Sequence, residues 1–424
     1  MPLRESRYII PMSRLFYAAL AFSVISAVAE PITASRLKKL PAAEQSAWKT
    51  YLDRSAENAQ TNQAVIQGEV AAHKMTNAIK APSGGDFRLP AKAGDPWYAT
   101  DEARQLANTV LSYQTPSGGW SKHLGFNQGP RQPGMQWSSQ NEPWQPPHYV
   151  ATFDNRSTTE QMYFLANMWQ ATKLEKYAAG FNKGLEFIFA AQFPNGGWPQ
   201  VYPLEGGYHD DITFNDDAMT HVLEMLAAVA HGDPAFAFVD QSQRQRAAAA
   251  LAAGISNVLK LQITQNGRKT VWCAQYDALT LQPAGARKLE PATLSGLESA
   301  HILEFLMTIT NPTPEIVDSI ESGLAWLENA KITGLGRTRV NGKTAFEPNP
   351  DSKEIYWARF YDLTTGKPVF PGRDGIVYST FAEMAARNEV GYDYYSTQPG
   401  SVLKTHQKKW RKLLETSVSP AQKN

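Results

Sequence analysis

Two stretches decide the fold: "ANTVLSYQTPSGGWSKH" at residues 107–123 and "LEFIFAAQFPNGGWPQV" at residues 185–201. Each reads as a helix end, a Gln, a Pro-x-Gly-Gly-Trp turn and a short polar exit. The Gly-Gly-Trp steps end at Trp120 and Trp198. A decayed third copy, "ISNVLKLQITQNGRKTVWCAQY" at 255–276, puts Gln262 in the place of Gln114 and Gln192 at a similar interval. A repeat of this length exceeds a tetratricopeptide unit and suits helix–loop–helix pairs. The Gly pair suits a helix C-terminus that needs a left-handed residue. Strand alternation is nearly absent from about Pro96 onward. The pattern predicts an all-α fold, an (α/α) toroid of about three helical hairpins with long loops on one face around a cleft. Outer helices are expected over about 101–113, 178–192 and 243–262, and inner helices from near 157, 215 and 292.

Outward from the repeat, the chain divides into a helical N-terminal extension (30–95), the toroid (96–415) and a C-terminal tail (416–424). Residues 1–29 read as a secretory signal: Arg4, Arg7 and Arg14 precede the run "LFYAALAFSVISAVA", and Ala27-Val28-Ala29 is a small-x-small cleavage site. That run is too short to span a bilayer as a helix, so export is expected, to the periplasm or beyond, with no membrane attachment once the leader is removed. At 42% apolar and 19% charged, 424 residues can form a sizeable core. Removing the leader takes away three basic residues and one acid, leaving 38 against 39. A near-neutral chain has no global field to attract nucleic acid, so an anionic ligand needs a local cationic cluster. The single cysteine, Cys273, excludes an internal disulfide and reads as a buried structural residue. A monomer is expected.

Two such clusters of chemistry are legible. Thr-Phe followed by an Asp/Asn pair occurs twice, at Thr152-Phe153 in "ATFDNRSTTEQ" and at Thr213-Phe214 in "ITFNDDAM". Ser157 and Glu160 have the spacing of a capping box, which would leave Asp154 and Asn155 outside the cap. At the second copy Thr213 with Asp216, or Asn215 alone, would close the helix, leaving at least one carboxylate spare. Acids near a helix start can simply complement its dipole. Two such sites on one rim instead make a hard, oxygen-only set suited to calcium rather than zinc. The other cluster is basic: Arg287 and Lys288 in "AGARKLEP", and Arg359, Lys367 and Arg373 in "YWARFYDLTTGKPVFPGRDGIVYS". Arg373 stands in Pro-Gly-Arg-Asp-Gly, where small neighbours admit a ligand close to the backbone.

The ordered series "TPSGGWSKH", "TFDN", "GGWPQVYP", "TFNDDAM", "WCAQYDALTLQPAGARKLEP" and "ARFYDLTTGKPVFPGRDG" resembles the family 10 polysaccharide lyases, secreted bacterial pectate lyases. The resemblance runs from about Ala107 to Tyr395. It implies calcium-assisted β-elimination on polygalacturonate with an arginine as base. On the matching positions, Asp154, Asn155 and Asp216 would hold calcium bridging to substrate carboxylates, Asn155 on the substrate side, and Asp217 could share the metal role. Arg287, helped by Lys288, and Arg359 would bind uronate carboxylates, and Arg373 would be the base.

Two other readings use the same residues. A glycoside hydrolase would take Asp154 and one of Asp216 and Asp217 as general acid and base. A non-catalytic carbohydrate-binding protein would use Trp120, Trp137, Trp144 and Trp198 as stacking platforms.

Overall fold

The structure, a computed structural model, describes residues 30–142, 145–340 and 343–417. The helices that build it include α1 (Ala42–Ala72), α2 (Asp101–Ser112), α3 (Thr159–Thr172), α4 (Glu175–Ala191), α5 (Ala218–His231), α6 (Gln241–Leu261), α7 (Glu298–Leu306) and α8 (Pro314–Asn329). They pair as hairpins α3–α4, α5–α6 and α7–α8, with α3, α5 and α7 side by side inside and α2, α4, α6 and α8 side by side outside. The molecule is a helical toroid.

Residue type assigns each helix to its layer. Inner α5 buries Met219, Thr220, His221, Val222, Leu223, Met225 and Leu226, a nearly continuous run that suits a helix covered on most sides. Outer α6 buries one stripe, Ala247, Ala250, Gly254, Asn257, Val258 and Leu261, and turns its charged face to solvent. The small residues of that stripe let the layers approach closely. A Cβ on Gly254 would stand 2.5 Å from Leu223 of the inner helix.

The repeated Gln and Trp have one structural duty in every copy. Gln114 Nε2 donates to the carbonyls of Gly118 (2.7 Å) and of Gly180 in α4 (2.8 Å). Gln192 does the same to Gly196 (3.0 Å) and Ala250 in α6 (2.9 Å), and Gln262 to Thr270 (2.9 Å) and Ser319 in α8 (2.9 Å). Each Gln therefore closes its own turn and staples the next outer helix to it. The indoles of Trp120, Trp198 and Trp272 donate to Val110 (2.8 Å), Ile188 (2.9 Å) and Val258 (2.8 Å), satisfying carbonyls at the ends of α2, α4 and α6. Trp357, bonded to Leu327 of α8 at 2.8 Å, is a fourth copy that has no Gly-Gly step to announce it.

Several expectations change. The glycines do not cap helices: α4 and α6 end at Gln192 and Gln262, both extended. Gly118 (φ 111°) and Gly196 (φ 96°) stand in the turns, where a Cβ would meet the carbonyl oxygens of Lys183 at 2.4 Å and Ala253 at 2.3 Å. The third inner helix starts at Glu298 rather than near 292. Leu294–Ser295 is drawn into an antiparallel sheet beside Phe360–Tyr361, Pro368–Pro371 and Val377–Tyr378. The N-terminal extension packs on the toroid, and its Trp48 and Tyr51 belong to the main core. Tyr51 Oη donates to Ala191 at 3.2 Å, and Arg54 to Ala190 at 3.0 Å. A last helix, Gln407–Ser417, runs past the expected boundary at 415. The leader (1–29) and residues 418–424 lie outside the described residues. Among the described residues no helix is long and apolar enough to cross a membrane. Cys273 is fully buried, and burial pushes its thiol up to about 12, which fits a structural role.

Candidate active site

The two Thr-Phe motifs fold alike. Phe153 (φ −99°, ψ −5°) and Phe214 (−101°, −10°) each enter a short 3₁₀ turn whose following residues cross into the left-handed region, Asn155 at φ 52° and Asp216 at φ 51°. Thr158, before α3, and Asp217, before α5, also have positive φ, and neither makes a side-chain cap. The capping box is not formed. Glu160 Oε1 instead accepts the amide of Leu89 (3.2 Å), and Thr158 Oγ1 donates to the Thr152 carbonyl (2.9 Å). Nor do Thr213 and Asn215 close α5. Asn215 Nδ2 donates to Asp216 (2.9 Å), and its Oδ1 accepts from Arg359 (3.2 Å). Left-handed non-glycine backbone costs on the order of 1–3 kcal/mol per residue and clusters at working sites. Here it turns Asn155, Asp216 and Asp217 away from capping their helices, toward Asp86, Asn215 and His301.

The two turns touch, bringing Asp154 and Asp216 into one field. Asp154 is 2% exposed; Oδ2 pairs with Lys122 Nζ at 2.5 Å, and Oδ1 is buried with no protein partner. Burial first, then the charges of Asp154 and Glu298, push the Asp216 carboxyl up to about 7, against the pull of Arg359. Asp217 points elsewhere, 2.5 Å from His301 Nδ1. Burial raises its carboxyl while the bond to His301 opposes. The structure thus separates the two acids that the sequence left equivalent: Asp216 faces Asp154, and Asp217 serves the α5–α7 contact.

A buried carboxylate oxygen without a donor, beside a second carboxyl raised by burial and by its acidic neighbours, is a place that one hard cation would suit. Among the described residues no three His, Cys, Asp or Glu side chains converge on such a point. A cation here would therefore rest on Asp154, Asp216 and carboxamide oxygen, completed by its ligand.

Two of the basic residues, Arg287 and Arg359, pack on Tyr392. Arg359 lies 4.4 Å from its ring, bonds Glu298 at 3.0 Å and reaches Asn215, which joins the basic and acidic clusters. Burial works to lower Arg359, but Glu298 and Asp216 outweigh it and hold it above its ordinary range. Arg287 grips Glu290 bidentately (2.7 and 2.8 Å) and contacts the Tyr392 hydroxyl, and the Glu290 bonds raise it strongly. Lys288 is exposed, its stem beside Gly375. Arg373 is exposed on the same rim. It lies over Gly391 and lines a hollow of about 640 Å³ with Tyr392 and Tyr394. Among the described residues no carboxylate lies within ion-pair distance of Arg373, in contrast to the other two arginines.

Lys122, Glu290, Glu298 and Tyr392 escaped sequence reasoning. For Lys122 a signal existed: it follows the repeated Trp120 by one intervening residue, where the second copy has Gln200. The tryptophan platforms are corrected. Trp120 and Trp198 are fully buried, Trp137 is buried beneath Arg131 at 3.5 Å, and Trp144 lies outside the described residues.

A comparison with family models matches residues 114–403 to pectic acid lyase. The chain belongs to the pectic acid lyase family. Two solved structures are similar to this lyase. One is a point mutant of a family 10 polysaccharide lyase from Cellvibrio cellulosa in complex with trigalacturonic acid. It has 34% identity and a TM-score of 0.63 over 73% of this chain and 94% of that one. The other is a family 10 polysaccharide lyase from Cellvibrio cellulosa, with 33% identity and a TM-score of 0.62 over 76% and 98%. No curated protein matches. Every candidate residue from Asp154 to Arg373 falls inside the matched segment, and membership sets aside the hydrolase and non-catalytic readings.

Proposed function

We propose that this lyase is exported and cleaves polygalacturonate by β-elimination with calcium, using Arg373 as base. The observation that carries the reading is the junction at Asn215, which bonds Asp216 on one side and Arg359 on the other, beside Asp154 with its unpartnered buried oxygen and the two arginines packed on Tyr392. The relative bound to trigalacturonic acid supports the substrate.

Asp154 and Asp216 would hold calcium, which when bound supplies Lewis-acid polarisation of a uronate carboxylate. Arg359 and Arg287, fixed as cations by Glu298 and Glu290, place positive charge where an enolate-like carboxylate develops. Arg373, acting as the neutral guanidine, takes the C5 proton. The C5–H electron pair forms the C4=C5 double bond as the C4–O bond breaks, and the oxygen leaves on C1 of the departing sugar, where a proton from water completes the new reducing end. The base role goes to Arg373 on the resemblance to the family 10 lyases; its lack of a carboxylate partner among the described residues, unlike Arg287 and Arg359, is compatible with that role.

The test incubates the mature protein with polygalacturonate and follows the ultraviolet absorbance of the unsaturated product. Absorbance should rise, stop on addition of a chelator and resume with excess calcium. New reducing ends without absorbance would mean hydrolysis and overturn the reading.

A further inference from the structure

We infer that Asp86, on the N-terminal extension and outside the matched segment, is a positioning residue that turns the amide oxygen of Asn155 toward the calcium position. The inference rests on the lyase reading above.

Asn155 Nδ2 lies 2.8 Å from Asp86 Oδ1. An ionised carboxylate only accepts, so this contact commits the NH₂ end of the amide and leaves the oxygen on the opposite side. Among the described residues no donor takes that oxygen. Asp86 is itself held from two directions, by His123 Nε2 at 3.0 Å on Oδ1 and Arg88 at 3.2 Å on Oδ2. The strand of extension that carries it is clamped over the exit of the first repeat. Gly84 N donates to His123 O (2.8 Å) and Gly125 N to Pro82 O (2.8 Å). A Cβ on Gly84 would stand 2.6 Å from Leu124 O, so only glycine permits the approach. Phe87, next in sequence, packs on Phe126 and Phe164.

The second motif shows why a helper is needed. Asn155 and Asp216 occupy matching places in the two turns, with nearly equal backbone angles. Asp216 presents oxygen whichever way its carboxylate turns. Asn155 presents oxygen in one orientation and a repelling NH₂ in the other. Asp86, whose contact to that nitrogen at 2.8 Å is shorter than that of His123 Nε2 at 3.3 Å, selects the first.

The experiment measures elimination against calcium concentration for Asp86→Ala, Asp86→Asn, Asn155→Ala and the double variant Asp86→Ala/Asn155→Ala, with melting temperatures. Outer-shell partners of metal ligands typically contribute about 10–100-fold in affinity. Half-saturating calcium should rise by about that factor in Asp86→Ala, exceeding any loss of kcat. The double variant should be no worse than Asn155→Ala alone, since both remove one interaction. The volume-preserving Asp86→Asn guards against a folding defect and should show a smaller rise. Fully additive losses, or an unchanged calcium response in both Asp86 variants, would overturn the inference while leaving the lyase reading intact. Failure of that reading would show instead as wild-type elimination indifferent to calcium.

Discussion

Replacing Arg373 by alanine should lower kcat on polygalacturonate by about 10²–10⁴-fold, the usual contribution of a general base, with little change in KM. The three arginines are distinguishable because their surroundings differ. Arg287 is fastened by Glu290 and Arg359 by Glu298, so alanine at either removes a fixed charge felt by bound substrate and transition state alike. KM should therefore rise together with the fall in kcat. Arg359→Ala also strands Glu298, whose side chain is 3% exposed, and breaking a buried pair costs on the order of 3–5 kcal/mol. Arg359→Lys keeps the charge and is the cleaner variant, losing the forked geometry alone. Steady-state rates with calorimetric oligogalacturonate binding decide the matter. Near-normal turnover in Arg373→Ala with a dead Arg287→Ala would move the base to Arg287.

Asp154→Ala should reduce elimination by on the order of 10²–10³-fold, and it should do so by removing the calcium response. In the wild type, a ligand at about 100 times its Kd adds about 2.7 kcal/mol to stability, which appears as a calcium-dependent rise in melting temperature. Asp154→Ala should abolish that rise. Its melting temperature without calcium reflects two opposed changes, Lys122 left with only the Tyr149 ring and Asp216 relieved of a like charge. Helix capping does not enter, because Asp154 caps nothing. Asp217→Ala is the control: it loses the His301 contact, so its melting temperature should fall while the calcium-induced rise persists. A retained rise in Asp154→Ala would remove that residue from the metal site.

The outer ring was legible because its signals are local. A Gln and a Gly-Gly-Trp turn close behind it determine both a helix end and its attachment. The fourth copy was illegible because Trp357 reaches back to Leu327 with no such turn between them. Two-residue strands carry no alternation, so Leu294–Ser295 could not be foreseen and the start of α7 was misplaced. At the site, residue types were legible and directions were not. Ser157 and Glu160 have capping spacing, yet left-handed backbone at Asn155, Arg156 and Thr158 takes them out of capping geometry. The same geometry separates Asp216 from Asp217, which are adjacent in sequence and serve different partners. Asp86 was invisible for another reason: its partners, His123 and Asn155, lie far along the chain, beyond the reach of any local pattern.

The Gln staples all reach forward. Gln114 bonds a helix that follows it in the chain, as do Gln192 and Gln262. During synthesis, each outer helix would leave the ribosome to find the donor for its docking already folded behind it. Such an order suits vectorial assembly, hairpin by hairpin, and spares the nascent chain from waiting for its C-terminus. Limited proteolysis of stalled nascent chains measures this. A resistant core containing α2 to α4 should exist before α8 has emerged, and uniform susceptibility until the chain is complete would contradict it.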